Sequence, residues 1–267
     1  MANVSQFGVR RFGRVNWLGL WTLIRRENMR YLAIWQQTIF APLITAALFL
    51  LIFSIAIGPG RSDVMGFDYV SFLAPGLLMM TVIQNSFANT SSSMLSAKVM
   101  GSIVDTLMPP LSPLEMTVGF LAGGIGRGLM IGAVLCLSMG LSLGIWVAHP
   151  LWTLAFVVLG GMFMGALGLL GSIYAYKFDQ MAAISNFVIT PLAFLSGTFY
   201  SIQALPSMMQ PLIHVNPMFY IIDGGRYSVL GVSDGSPWLA LAVICGANIC
   251  AVGLAWFWLA RGYRLKS

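Results

Sequence analysis

The chain has 267 residues, of which 58% are hydrophobic and 8% charged, with a net charge of +6. Soluble domains carry about a quarter charged residues. A soluble globular fold is therefore excluded, and with it the reading of the positive charge as a nucleic-acid surface. A hydrocarbon core about 30 Å thick takes roughly 20 apolar residues per helix, and several such runs make this an all-α, single-domain polytopic membrane protein.

The start, MANVSQFGVRRFGRVNW, has a basic flank but no short apolar run ending at small residues, so no cleavable signal peptide is expected. The next stretch is not a span. Trp17, Leu20, Leu23 and Ile24 recur at helical spacing, and Arg25, Arg26, Glu27 and Arg30 follow. The pattern predicts an N-terminal amphipathic interface helix within residues 8–33, Trp and Leu inward and Arg toward the headgroups; a generic membrane anchor is the alternative.

Six spans are expected within residues 36–260, at 36–58, 69–91, 116–146, 151–176, 181–200 and 238–260. An even number puts both termini on one side, and the basic residues choose it. Arg10, Arg11, Arg14, Arg25, Arg26 and Arg30 precede the first span, Arg261, Arg264 and Lys266 follow the last, and Lys98 and Lys177 fall in loops on that same side. Only Arg61 and Arg226 fall opposite, so both termini are expected in the cytoplasm.

The third helix, read from Leu114 to Trp146, would measure about 50 Å at 1.5 Å per residue. Its first turns must project into the cytoplasm, which brings Arg127 to headgroup level, where it can snorkel. Gly119, Gly123, Gly124, Gly128 and Gly132 give it a small-residue face, and Gly161 and Gly165 offer a match on the fourth helix. Residues 201–237 are too apolar for a solvated loop, yet Pro206, Pro211 and Pro217 forbid one continuous helix. Short re-entrant helices in the outer leaflet are expected there.

The sequence offers no catalytic apparatus. It has no GxxxxGK[ST] phosphate loop, no HExxH and no metal-binding acidic pair. Cys136, Cys245 and Cys250 lie in apolar runs and read as packing residues, as do His149 and His214. No acidic residue lies deep in a span, which argues against ion-coupled transport. A polar stripe stands out instead: Thr81, Asn85 and Asn89 at four-residue steps on the second span, and Asn186 with Thr190 on the fifth. It reads either as interhelical hydrogen-bond glue, worth about 0.6 kcal/mol per bond, or as the lining of a pathway for an amphiphile.

Between the second and third spans, GSIVDTLMPPLSPLEMTVGFLAGG combines a short helix, a Pro-Pro break and a restart. It resembles the cytoplasmic loop of the ABC-2 type permease family, with its glycine, acidic residue and PLS ahead of a long helix. Pro191, Ser196-Gly197, Phe199, Leu205-Pro206, Asn216-Pro217, Arg226 and Gly231 are similar, in order, to the family's second hallmark. Met108-Pro109-Pro110, where one proline is usual, and a lone Lys98 depart from the pattern.

The resemblance implies a half-transporter of the bacterial cytoplasmic (inner) membrane. It would work with a second copy of this permease and two separate ATPase subunits, which bind the ATP and Mg, so the chain itself holds no cofactor or metal. Gly101, Ser102, Ile103, Val104, Asp105, Thr106 and Leu107 would form the coupling helix that docks on the ATPase. If two protomers face each other through their second and fifth spans, Thr81, Asn85, Asn89, Asn186 and Thr190 would flank the pathway, and Phe194 and Phe199 would close it toward the outside. An amphiphilic substrate, a lipid, glycan or drug, would leave the cytoplasm this way. The alternatives are an ATP-independent channel-like or structural subunit and a membrane-embedded enzyme acting on lipid.

Overall fold

A computed structural model describes residues 15–56 and 63–264. The expected basic residues Arg10, Arg11, Arg14, Arg61 and Lys266, and the first part of the 8–33 helix, lie outside them. Among the described residues the chain is all-α, with no β-strand beyond an isolated pairing of Val64 with Phe67.

Helix α1 (Trp17–Ala33) is followed by a π-helical turn (Gln36–Phe40) that runs into α2 (Ala41–Ala56). Next come α3 (Tyr69–Val99), the short α4 (Ile103–Leu107), α5 (Pro113–Leu143) and α6 (Pro150–Tyr174). α7 (Phe178–Ile184), a second π turn (Ser185–Ile189) and α8 (Thr190–Phe194) make one helical run. A 3₁₀ turn (Ile202–Ala204), α9 (Gln210–His214) and α10 (Pro217–Leu230) lead to α11 (Pro237–Ala260).

Five of these helices are long and apolar enough to cross a membrane: Gln36–Ala56, α3, α5, α6 and α11. The stretch expected as the span at 181–200 is instead helical over 178–194, in pieces of seven, five and five residues, and leaves helix at Leu195. Both π turns have one physical cause. A proline has no N–H to offer the carbonyl four residues back, and its ring crowds that carbonyl. Thr38 lies four before Pro42 and Phe187 four before Pro191, and in each case the helix widens around that residue.

α3 is the centre of the bundle. Within its most apolar window 72% of residues are buried, against 11% for the span that contains α2. Small side chains let its neighbours come close. A methyl added to Gly124 of α5 would lie 2.9 Å from the Thr90 methyl of α3 and 3.6 Å from the Gly165 Cα of α6. The Thr90 hydroxyl donates to the Gly165 carbonyl at 2.8 Å. The expected α5–α6 glycine contact is therefore present at Gly124 and Gly165, but α3 wedges into it and turns a pair into a three-helix seam. Gly119, Gly123 and Gly126 face α1, where added methyls would strike Leu23, Glu27 and the Asn28–Tyr31 pair.

α1 divides its residues between two environments. Leu20, Leu23, Glu27 and Tyr31 are buried, whereas Trp17 and Trp21 are 73% and 64% exposed. The leucines expected with the tryptophans on one face thus pack on protein while the indoles face outward. After α8, short helices are broken as the prolines require, with Pro211 and Pro217 each in the first turn of its helix.

Candidate functional site

The segment 99–116 forms a braced elbow. α3 continues past its expected end to Val99, so Lys98 belongs to its last turn and not to a loop. Lys98 is 5% exposed, and its Nζ donates to the carbonyls of Ser172, Ile173 and Ala175 at 3.0, 2.7 and 2.7 Å. An ammonium there satisfies carbonyls that the end of α6 leaves without partners and meets the negative end of its dipole. It ties the C-terminal ends of α3 and α6 together.

Gly101 then takes a left-handed conformation (φ 73°) that reverses the chain into α4. Ile103 and Thr106 point inward, while Val104, Asp105, Leu107 and Met108 are exposed. Of the seven expected coupling residues, Ile103–Leu107 thus form a single short helix with one acidic side chain on an apolar exposed face, and Gly101 and Ser102 make the turn that precedes it.

Pro109 and Pro110 end that helix, and Ser112 with Glu115 forms a reciprocal capping box that starts α5. Glu115 does more than cap. Its Oε2 accepts from the Ser112 N–H and its Oε1 from the Asn16 N–H, both at 2.6 Å. Asn16 Nδ2 in turn donates to the Pro110 carbonyl at 3.2 Å, and Arg26 Nη1 donates to Thr106 Oγ1 at 2.9 Å. The elbow is therefore fastened to α1 on both sides of its proline break.

The polar stripe of α3 is engaged by arginines from two other helices. Arg127 Nη2 on α5 donates to Asn85 Oδ1 at 2.8 Å. Arg30 Nη2 on α1 donates to the Asn89 side-chain and backbone oxygens at 3.0 and 2.6 Å, and its Nη1 donates to Ser92 Oγ at 3.1 Å. Glu27 is 1% exposed, 3.0 Å from Arg26 and 3.9 Å from Arg30. Burial pulls the Arg30 guanidinium below its usual range, Glu27 opposes that, and neighbouring Arg26 adds to it.

Asn89 is fully buried, whereas Asn85 and Thr81 are half-buried; the Thr81 hydroxyl donates to the Leu77 carbonyl. Asn186 is exposed and Thr190 half-buried, and no hydrogen bond joins either of them to the α3 stripe among the described residues. Phe194 closes α8, but Phe199, expected on the same span, lies beyond it in irregular chain. The two rings stack at 5.3 Å and meet Phe49 of α2 at 6.2 and 6.0 Å.

A buried ionic cluster holds the segment between α8 and α11, and only one of its members was singled out from sequence. Arg226 is wholly buried, with its guanidinium 4.0 Å above the Phe72 ring and its Nη2 donating to the Gly197 carbonyl at 2.6 Å. Its Nη1 lies 3.6 Å from both Asp223 and Asp234. Asp223 accepts from the Asp234 and Gly235 N–H groups, and Asp234 from the Ser201 hydroxyl and the Ile202 N–H. Two acids within eight residues of an arginine, in an otherwise apolar stretch, were the available signal. His149 stacks on Tyr227 at 5.2 Å, as a packing histidine does.

The sequence model of the ABC-2 type transporter family matches residues 19–230. The inner membrane transport permease YadH of Escherichia coli (strain K12) is 35% identical over 252 residues, which cover 94% of this chain and 98% of YadH. The nodulation protein J of Sinorhizobium fredii (strain NBRC 101917 / NGR234) is 25% identical over 238 residues, 86% of this chain and 87% of that protein. That of Rhizobium leguminosarum bv. viciae is 25% identical over 240 residues, 87% and 89%. The chain belongs to the ABC-2 type transporter family.

Proposed function

We propose that this family member is the transmembrane permease subunit of an ATP-driven exporter, two copies working with two copies of a separate ATPase subunit in a bacterial inner membrane. In this reading both termini are cytoplasmic, α1 lies at the inner membrane interface, and the run 178–194 makes a sixth crossing. The segment 195–237 dips into the outer leaflet, and the substrate is an amphiphile.

The observation that carries the reading is the construction of α4. Its exposed face presents Val104, Leu107 and Met108 around Asp105, an apolar patch with one charge, fit for a partner cleft. Its buried side is fastened to α1 through Thr106, and the chain on either side is held by Lys98 and Glu115. A force applied to α4 is passed to α3, α5 and α1, because proline breaks and caps leave little slack between them.

For the pathway, the half-buried Thr81 and Asn85 and the exposed Asn186 favour a shared lining between protomers, while Asn89 is already engaged as glue within one. Asn186→Leu then lowers export while melting temperature changes little; glue alone predicts the opposite.

The direct test is reconstitution. The purified chain should hydrolyse no ATP, and addition of its ATPase subunit should give turnover. ATP hydrolysis by the chain alone, or an ATPase subunit indifferent to its presence, would overturn the reading.

A further inference from the structure

Where α1, α3 and α5 meet, three guanidiniums gather around a junction in which two of them share one carboxylate. Glu27 pairs with Arg26 and Arg30, and Arg127 has no ion-pair partner among the described residues. Its one hydrogen bond is to the neutral Asn85 amide, and Arg30 repels it from α1. Three N–H donors of this junction, Arg30 Nε, Asn89 Nδ2 and Arg127 Nε, are buried without an acceptor, against one oxygen without a donor, Glu27 Oε2, which lies 3.9 Å from Arg30 Nε. Nitrogens outnumber oxygens here, and a desolvated guanidinium without a counter-charge is costly. What would satisfy it is a group rich in anionic oxygens, which guanidinium binds in fork geometry.

Depth narrows the choice. Arg127 lies about 24 Å along α5 from its outer end at Leu143, and Asn85 about as far along α3 from Tyr69, at 1.5 Å per residue. A hydrocarbon core about 30 Å thick then puts both near the headgroup boundary of the cytoplasmic leaflet. The flank of α3 beside them is open, with Gln84 and Asn85 half-buried and Ala88 exposed.

We propose that Arg127, positioned by Asn85 and backed by Arg30, binds the phosphate of an anionic lipid headgroup at the inner leaflet, so that the exported amphiphile is anionic. The second half of that statement rests on the exporter reading; the binding does not.

The full-length permease, purified without its ATPase, is equilibrated with equal amounts of phosphatidylglycerol and phosphatidylcholine, and retained lipid is counted by native mass spectrometry. Wild type should prefer phosphatidylglycerol about tenfold, the scale of a charge-assisted contact. Arg127→Gln should lose that preference and Arg127→Lys keep most of it. An unchanged preference in Arg127→Gln would assign it to the basic surface at large and overturn the site. Displacement of the lipid by inorganic pyrophosphate would overturn the assignment to a lipid in favour of free phosphate. Because Arg127→Gln can fail to fold, wild type is also labelled with a phosphatidylglycerol carrying a photoreactive headgroup. Adducts must fall on residues 84–88 or at Arg127, and adducts confined elsewhere sink the proposal. Headgroup binding without ATPase-driven export would leave the site standing and refute only the exporter reading.

Discussion

The two ends of this bundle treat charge in opposite ways. At one end Arg226 is sealed against Phe72 between two carboxylates, and each carboxylate oxygen also accepts a hydrogen bond. At the other end Arg26 and Arg30 are 47% and 36% exposed, share one acid, and stand beside Arg127, which has no ion-pair partner among the described residues. A sealed cluster with its acceptors filled holds one arrangement of chain. An open cluster with surplus positive charge has capacity left for a partner or a ligand. In the proposed reading the Arg226 end is a staple and the α4 end the working face.

The contrast is broken most severely at Arg226. Arg226→Leu leaves two buried carboxylates without a counter-charge and should cost about 3–5 kcal/mol, read as loss of folded protein or a large drop in melting temperature in detergent. Lysine should not rescue it, since an ammonium cannot both lie over Phe72 and reach Gly197 as the planar guanidinium does.

The α4 end has rigid points of its own, Lys98 and Glu115. Lys98→Met strips a donor from two carbonyls of α6 and from that of Ala175 just beyond it, and should cost about 1–3 kcal/mol by the same assay. Glu115→Ala removes half of a capping box and the link to Asn16, about 1 kcal/mol by cap statistics. Because it also loosens the elbow between α4 and α5, it should reduce ATP turnover by the complex more than its stability loss explains. The smallest effect belongs to the bridge from α1 to α4. A double-mutant cycle over Arg26→Ala and Thr106→Ala should give a coupling of about 0.5 kcal/mol, because Arg26 is half in solvent. A coupling as large as the loss at Arg226 would erase the distinction between the two ends.

Much of this was legible in the chain itself, and what was missed has physical reasons. The spans follow from runs of apolar residues, and the elbow from Pro109-Pro110 and Ser112-Pro113. The capping box was readable too, because Ser112 and Glu115 stand at the required spacing. Non-local pairing was not readable. Nothing in the spacing of Lys98 says that it reaches carbonyls more than 70 residues away, and Arg226 looked like a loop charge until Asp223 and Asp234 closed around it. The polar stripe of α3 is met by arginines from α1 and α5, and helical periodicity along α3 cannot choose them. The short run 178–194 shows the limit of length rules, since Pro191 alters the helix from within.

The most direct test of the working face is charge reversal on α4. Asp105→Lys changes one exposed side chain and leaves the buried Ile103 and Thr106, and hence the elbow, in place. The permease variant is combined with the ATPase subunit, and both subunit association and ATP hydrolysis are measured. A docked helix with its only charge reversed should cost the complex about tenfold or more in turnover, while the melting temperature of the permease alone is unchanged. Full turnover by Asp105→Lys would contradict a working face centred on α4, because α4 would then not be where the ATPase acts.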